Sequence, residues 1–275
     1  MLYYKKINPP NHLRPFVECF YVWEMMLDSS ESVIVESPPS SYASVVFNYK
    51  TVYEVASANK SFLPISQSFI TGQASKNYFL KISQSIGLVG IVFRPAALAT
   101  LFKLEMYEFT DERYDVRAVL GKEIDTLQHQ IEDARSLEER ISYLIQFLNK
   151  RLLSGTCSPD RTDYAANLII AKRGIININS LMDDLYVSKR QFERQFLTKV
   201  GVSPKYYARL RRVGYVCSVL ATQKWNISDW HDLVFQMGYY DQAHFIKDFT
   251  SFTGKTPSVY LKRNVELAKY LSEIS

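Results

Sequence analysis

The sequence predicts an α+β protein in two parts: a β-rich, barrel-like N-terminal domain with a helical tail, then an all-α domain of two helix-turn-helix units joined by a long helix. Three observations predict it. Short β-branched and aromatic runs crowd residues 32–93, helical periodicity takes over after Arg94, and one pattern of residues occurs twice near the C-terminus. The 275 residues suffice for two domains that each bury a core.

The runs SVIVES, ASVVFNY, TVYEVA, YFLKIS and IGLVGIVF are separated by turn-prone segments and read as strands of an antiparallel sheet or small barrel. In RPAALATLFKL, Pro95 stands where a first helical turn tolerates it and biases Arg94 to an extended conformation. Two amphipathic helices fill residues 122–153, with Ile124, Leu127 and Ile131 at helical spacing in the first and Leu137, Ile141, Leu144 and Leu148 in the second. These helices either pair two copies of the chain or cover the sheet. The aromatics Phe47, Tyr49, Tyr53, Phe69, Tyr78, Phe79 and Phe93 are suited to a core and, together, to lining an apolar pocket.

Residues 154–163, SGTCSPDRTD, are small, polar and rich in cap-forming side chains, which marks a linker. The chain thus divides into an N-terminal domain at 1–153 (β-rich over 1–110, helical over 111–153), the linker, a helical domain at 164–265 and a tail at 266–275. Charge divides at the same place. Residues 1–159 hold 16 Lys/Arg against 17 Asp/Glu, and residues 160–275 hold 17 against 11, so the excess of +6 in the second half points to a polyanionic partner.

The repeat pairs Phe192 with Phe245, Phe196 with Phe249, Gly201 with Gly254, Pro204 with Pro257 and Tyr207 with Tyr260; upstream, Leu181 pairs with Leu233 and Leu185 with Met237 after a shift of one residue. Each copy reads as two short helices around a turn. Asn177 caps the first helix of copy one, and Ser188 caps the second with Gln191 as its capping-box partner. In copy two, Ser228 or Asp229 caps a helix carrying Trp230, Leu233, Val234 and Met237, Gly238 makes the turn, and Asp241 caps the second helix.

In the second helix of each copy the paired phenylalanines lie one turn apart and face inward. Ser188, Lys189, Arg190, Glu193 and Arg194 are left on the outer face of copy one, and Gln242, Ala243, His244, Ile246 and Lys247 on that of copy two. Donors near a helix N-terminus suit a reader of the DNA major groove. Between the copies, residues 205–222 form one helix with Tyr207, Leu210, Cys217 and Leu220 as its apolar stripe. At ~1.5 Å per residue it spans roughly 27 Å, against about 34–36 Å between successive major-groove faces. Lys205, Arg209 and Arg212 make a basic stripe along it that either touches phosphates or is merely solvated. Matched caps, seams, glycines and prolines in a basic domain set this pattern apart from the solvated face of a packed helical domain.

INSLMDDLYVSKRQFERQFLTKVGVSPKYYARLRR followed by MGYYDQAHFIKDFTSFTGKTPSVYLKR resembles the paired helix-turn-helix domain of AraC/XylS-type transcriptional regulators over roughly residues 162–264. The resemblance implies a sequence-specific, one-component regulator. Its partner is double-stranded promoter or operator DNA, with a small-molecule effector, a second copy of the chain and RNA polymerase as further partners, and no membrane. It also implies base reading by Lys189, Arg190, Glu193 and Arg194, and by Gln242, Ala243, His244 and Lys247. The sequence departs from the family pattern at Tyr186, where the first turn often has Gly, at Met182 and Val234 in place of small Ala, at Trp230 in place of an aliphatic, and at Ala243 in place of Ser. GIVFRPAALATLF is similar, more diffusely, to the sensory half of such regulators.

Composition excludes other classes. No stretch approaches the ~20 apolar residues of a membrane span and MLYYKKINPP lacks a signal-peptide core, which points to the cytoplasm. Cys19, Cys157 and Cys217 are odd in number and far apart, and His12, His129, His231 and His244 have no metal-ligand spacing, so neither metal nor cofactor is expected. An alkyl-transfer enzyme fused to a DNA-binding domain would need an activated thiol, and VECFYVW sets no Lys, Arg or His beside Cys19. An enzyme is therefore not expected. A module docking an acidic protein is the third reading, and duplex titration separates it.

Overall fold

The structure, a computed structural model, describes residues 2–27, 32–57, 60–155, 158–222 and 230–263. Ser228, Asp229, Cys157 and the tail at 266–275 lie outside the described residues. Ten strands are found among the described residues: β1 (Leu2–Ile7), β2 (Val17–Met25), β3 (Val33–Ser37), β4 (Ser44–Asn48), β5 (Glu54–Ser57), β6 (Leu63–Pro64), β7 (Ser68–Thr71), β8 (Tyr78–Ile82), β9 (Ile86–Phe93) and β10 (Arg113–Asp115). They form two antiparallel sheets in the orders β1-β2-β9-β4-β7-β10 and β3-β8-β5-β6. The expected barrel is therefore an open pair of sheets. Closure would need every edge strand to find a partner in staggered register, and β6, with two residues, is too short to continue one.

Strand β9 reads as a continuous apolar run because both of its faces are covered. Val89, Ile91 and Phe93 point to a helical layer, while Ile86 and Leu88 point to the second sheet. The helical layer comprises α1 (Ala97–Phe102), α2 (Val116–Leu120), α3 (Glu123–Asp133) and α4 (Leu137–Leu153). Helices α3 and α4 lay Ile124, Leu127, Ile131, Ile141, Leu144 and Leu148 against Val45, Phe47 and Val89 of the larger sheet. Of the two roles that the sequence leaves open for these helices, they fill the covering one. Ser136 and Glu139 form a full capping box at the start of α4.

Helix α5 (Arg161–Ala171) starts inside the expected linker, because Asp160 accepts from the Thr162 and Asp163 amides and Asp163 reaches back to complete a second box. The repeat then resolves as predicted into α6 (Ile178–Asp184) and α7 (Lys189–Val200), the long α8 (Pro204–Thr222), α9 (Trp230–Gln236) and α10 (Gln242–Thr253), and α11 (Pro257–Arg263). Asn177, Ser188 and Asp241 cap α6, α7 and α10. Gly201 and Gly254 end α7 and α10 with φ of 95° and 69°.

Two cores share α8. Tyr207 and Ala208 pack with Phe192, Phe196 and Val200 of the first unit, and Leu210, Val213, Val216, Cys217 and Leu220 pack with Leu233, Met237, Phe245 and Phe249 of the second. The turn of the second unit also packs on the first, since a Cβ on Gly238 would stand 2.8 Å from Ile175 Cγ2 in the loop before α6.

The turns differ in strain. Gly238 holds φ of 68° freely, whereas Tyr186, its counterpart, holds φ of 52° with a side chain 90% exposed. Left-handed backbone costs a non-glycine residue about 1–2 kcal/mol, part of which glycine gives back as unfolded-state entropy. Tyr186→Gly is therefore expected to raise unfolding stability by about 0.5–1 kcal/mol, and Gly238→Ala to lower it by about 1–2 kcal/mol. Urea titration of both variants checks the opposed signs.

Candidate nucleic-acid interface

The second helix of each unit is fixed from within and exposed outside. In α7 the Phe192 and Phe196 rings are buried 5.6 Å apart, and in α10 Phe245 and Phe249 repeat the arrangement at 5.7 Å. Anchored this way, α7 leaves Ser188, Lys189, Arg190, Glu193 and Arg194 exposed, and α10 leaves Gln242, Ala243, His244 and Lys247 exposed. Among the described residues none of the charged groups in these two sets enters an ion pair. The His244 ring stands edge-on to Tyr239, 5.3 Å away, so one flank of it is packed on the turn.

The basic stripe on α8 is less free. Lys205 is exposed in the first turn. Arg209 instead donates from Nη2 to Asp248 Oδ1 at 2.7 Å and from Nε at 3.1 Å, with its guanidinium over the Phe252 ring. Arg212 donates to the Gly174 carbonyl at 3.0 Å and stacks over Tyr239. Asp248 is almost fully buried on α10, so Arg209 fixes how the second reading helix sits against the connecting helix. The sequence offered no sign of this pair, because its members lie 39 residues apart.

Residues 181–263 match the profile of a helix-turn-helix domain, and residues 5–115 match that of a domain of unknown function. The C-terminal region is an AraC-type helix-turn-helix domain. The chain is accordingly a DNA-binding transcriptional regulator. No curated protein matches it in sequence. Among solved structures it is similar to ToxT from Vibrio cholerae O395, at 12% identity over 88% of this chain and 95% of that one with a TM-score of 0.46. It is similar to unsaturated fatty acid bound wild-type ToxT from Vibrio cholerae strain SCE256 at 14%, 88%, 94% and 0.45, and to the AraC-like transcriptional activator CuxR at 10%, 76%, 84% and 0.26.

The N-terminal domain touches the AraC-type domain where each reading helix ends. At α7, Lys199 bonds Asp163, and Asp163 accepts from Thr100 of α1 at 2.9 Å; next to it, Thr110 donates to the Gly201 carbonyl at 3.1 Å. At α10, Lys255 follows Gly254 and bonds Glu36 of β3. Midway, Tyr207 donates to the Ser41 carbonyl at 2.8 Å.

Between the sheets, and open to α8, lies a cavity of about 610 Å³. Tyr21, Trp23, Tyr53 and Tyr78 line it from the sheets, and Arg211 and Tyr215 line it from α8. Only Tyr53 and Tyr78 among these were singled out in the sequence. Burial pushes the Cys19 thiol, also in this wall, up to about 11, the reverse of the activation that alkyl transfer requires. The same burial lowers Lys6 to about 8, against weaker support from Cys19 and Glu18. No described helix is long and apolar enough to cross a membrane.

Asp248 is buried while Arg209 is partly exposed, so Arg209→Ala is expected to cost on the order of 2–3 kcal/mol, below the roughly 3–5 of a fully buried pair, with Asp248→Asn milder. Thermal melts of the two variants check the order. Lys6 has a folded value below its unfolded 10.5, so its charge penalises the folded state at neutral pH, and that penalty is relieved as pH rises from about 8 towards 10.5. Lys6→Met is expected to melt higher than the parent protein at pH 7, with the gap closing across that window.

Proposed function

We propose that this regulator inserts α7 and α10 into adjacent major grooves on one face of a DNA duplex and that occupancy of the cavity between its sheets controls the binding. The observation that carries the reading is the matched pair of helices, each capped, anchored by two phenylalanines and presenting unpaired donors, on one rigid connecting helix. In this reading Arg190 and Arg194 address guanine O6 and N7, Gln242 addresses adenine, and Glu193 accepts from cytosine N4. Ser188 and Lys189 at the start of α7, and His244 and Lys247 on α10, complete the interface, while Ala243 contributes only apolar contact. Copy one then carries more of the sequence preference, and copy two more of position and affinity.

The span of α8 falls short of the groove repeat, which the proposal accommodates by bending the duplex at a cost of order 1–6 kcal/mol. Lys205 is the phosphate contact on α8. Arg209 and Arg212 were further candidates, but their intramolecular bonds favour a positioning role.

The test is a set of duplex titrations at several salt concentrations after selection of a preferred sequence. Arg190→Ala or Arg194→Ala is expected to cost about 1–3 kcal/mol and to relax preference at one base pair. Lys205→Ala is expected to weaken all duplexes alike and to reduce the slope of log K against log salt by about 1. Equal affinity for every sequence in parent and variants would sink base reading, and no binding to random duplex at low salt would favour an acidic protein as the partner.

A further inference from the structure

Each helix-turn-helix turn holds one tyrosine out to solvent. Tyr186 is 90% exposed and Tyr240 94% exposed, and among the described residues neither side chain makes a hydrogen bond, a ring contact or a cation contact. Both stand just ahead of a second helix. Tyr186 comes two residues before Ser188, the cap of α7, and Tyr240 one residue before Asp241, the cap of α10.

The two turns reach this arrangement by different routes. Their backbone hydrogen bonds align them: Tyr186 donates to the Asp183 carbonyl at 3.1 Å and Val187 to that of Met182 at 3.3 Å, as Gly238 donates to Phe235 at 2.9 Å and Tyr239 to Val234 at 3.2 Å. Tyr186 thus takes the left-handed place of Gly238, and Val187 that of Tyr239. Tyr240 is the extra residue of the longer turn and has no counterpart. Tyr239 is buried in the core of the second unit, so packing uses the first tyrosine of the pair and leaves the second outside. At Tyr186, left-handed backbone disfavours any residue with a Cβ, and a side chain so exposed returns nothing through packing. Backbone strain that the fold does not repay is typical of functional positions.

The place of these turns says what the side chains meet. A helix with its side chains is roughly 10–12 Å across and the major groove about 12 Å wide, so a helix seated there fills it between its phosphate walls. In helix-turn-helix docking the first helix crosses the DNA backbone and the N-terminus of the second enters the groove. The turn between them therefore passes the phosphates, and tyrosine hydroxyls are among the donors that phosphate oxygens accept from.

We propose that Tyr186 and Tyr240 are backbone contacts to the duplex, each donating its phenolic O–H to a phosphate beside the groove that its helix enters. The inference rests on the reading of α7 and α10 as groove-entering helices and adds the residues that hold each one in place. A phenol is neutral, so the contact contributes affinity without displacing a counterion and without reading a base.

The test titrates the whole chain as parent, Tyr186→Phe, Tyr240→Phe, the double Phe variant and Tyr186→Gly against the selected duplex and a random one over a range of salt. Each Phe variant is expected to lose affinity roughly three- to tenfold, alike on both duplexes, with the slope of log K against log salt kept at the parent value. The unchanged slope sets these residues apart from Lys205. In the double variant the two losses multiply, since the turns share no partner. Thermal melts of the Phe variants are expected to match the parent. Tyr186→Gly melts higher and yet binds no better than Tyr186→Phe, and stability and affinity moving in opposite directions excludes a loss of fold as the cause. Each tyrosine is decided by its own variant. Its role is overturned if the Phe variant binds like the parent, if the loss is confined to the selected duplex, or if the salt slope falls with it. Parent-like variants of a protein that still selects its duplex overturn this inference and leave groove reading standing; a parent that binds no duplex overturns both.

Discussion

Helix α8 has to complete two cores at once, and that constraint orders the rest of the molecule. Its first turns close the first helix-turn-helix unit through Tyr207 and Ala208, and its later turns close the second through Leu210 to Leu220. Neither unit can reorient without breaking the packing of a shared rigid element. Polar groups on α8 reinforce this from other sides: Arg209 holds α10 through Asp248, Arg212 holds the Gly174 turn, and the Tyr207 hydroxyl holds the N-terminal domain at Ser41. The helix shared by the two units is thereby also a wall of the cavity, through Arg211, Gly214 and Tyr215.

The N-terminal domain holds α7 and α10 at equivalent places, just past the end of each. Gly201 and Gly254 are repeat partners, and a Cβ on Gly201 would stand 2.6 Å from the Met106 carbonyl. Lys255, one residue past Gly254, bonds Glu36, which belongs both to β3 and to the cavity wall. Glu36 therefore joins the cavity wall to the end of α10 through a single residue, Lys255. In the function proposed above, coupling between cavity and duplex would be reciprocal, each changing affinity for the other by the same factor.

Much of the second domain was legible in the sequence because its determinants are local. Caps, seam phenylalanines and terminal glycines act within one or two turns, and a repeated set of them identifies the same unit twice. The sheets were half legible. Strand β9 announces itself by an unbroken apolar run, but β2, which pairs with both β1 and β9, carries Glu18 and Glu24 among its aromatics. Those charges fit a strand only because Arg94, and Tyr49 with Lys50, meet them from distant positions. The same reason hid the role of Arg209, and it hid the cavity, whose cations come from β1, β10, the loop after α5 and α8. Openness of the sheets was illegible as well, since it depends on which edge strands are too short to pair.

The second helices of the two units differ in how each is fastened as well as in their outer faces. In the second unit Asp248 takes the place of Gln195, and it is this change that draws Arg209 of α8 onto α10. In the first unit Lys199 takes the place of Phe252, and it ties α7 to Asp160 and Asp163 of α5 and onward to Thr100. Phe252 is instead buried against Tyr206, with centroids 5.2 Å apart. Helix α7 is thus held by polar bonds that run through Asp163 to Thr100, and α10 by aromatic packing, the Arg209–Asp248 pair and the Lys255–Glu36 bond just past its end. Both units are tied to the N-terminal domain by polar bonds just past the second helix, at Thr110 for the first unit and at Glu36 for the second.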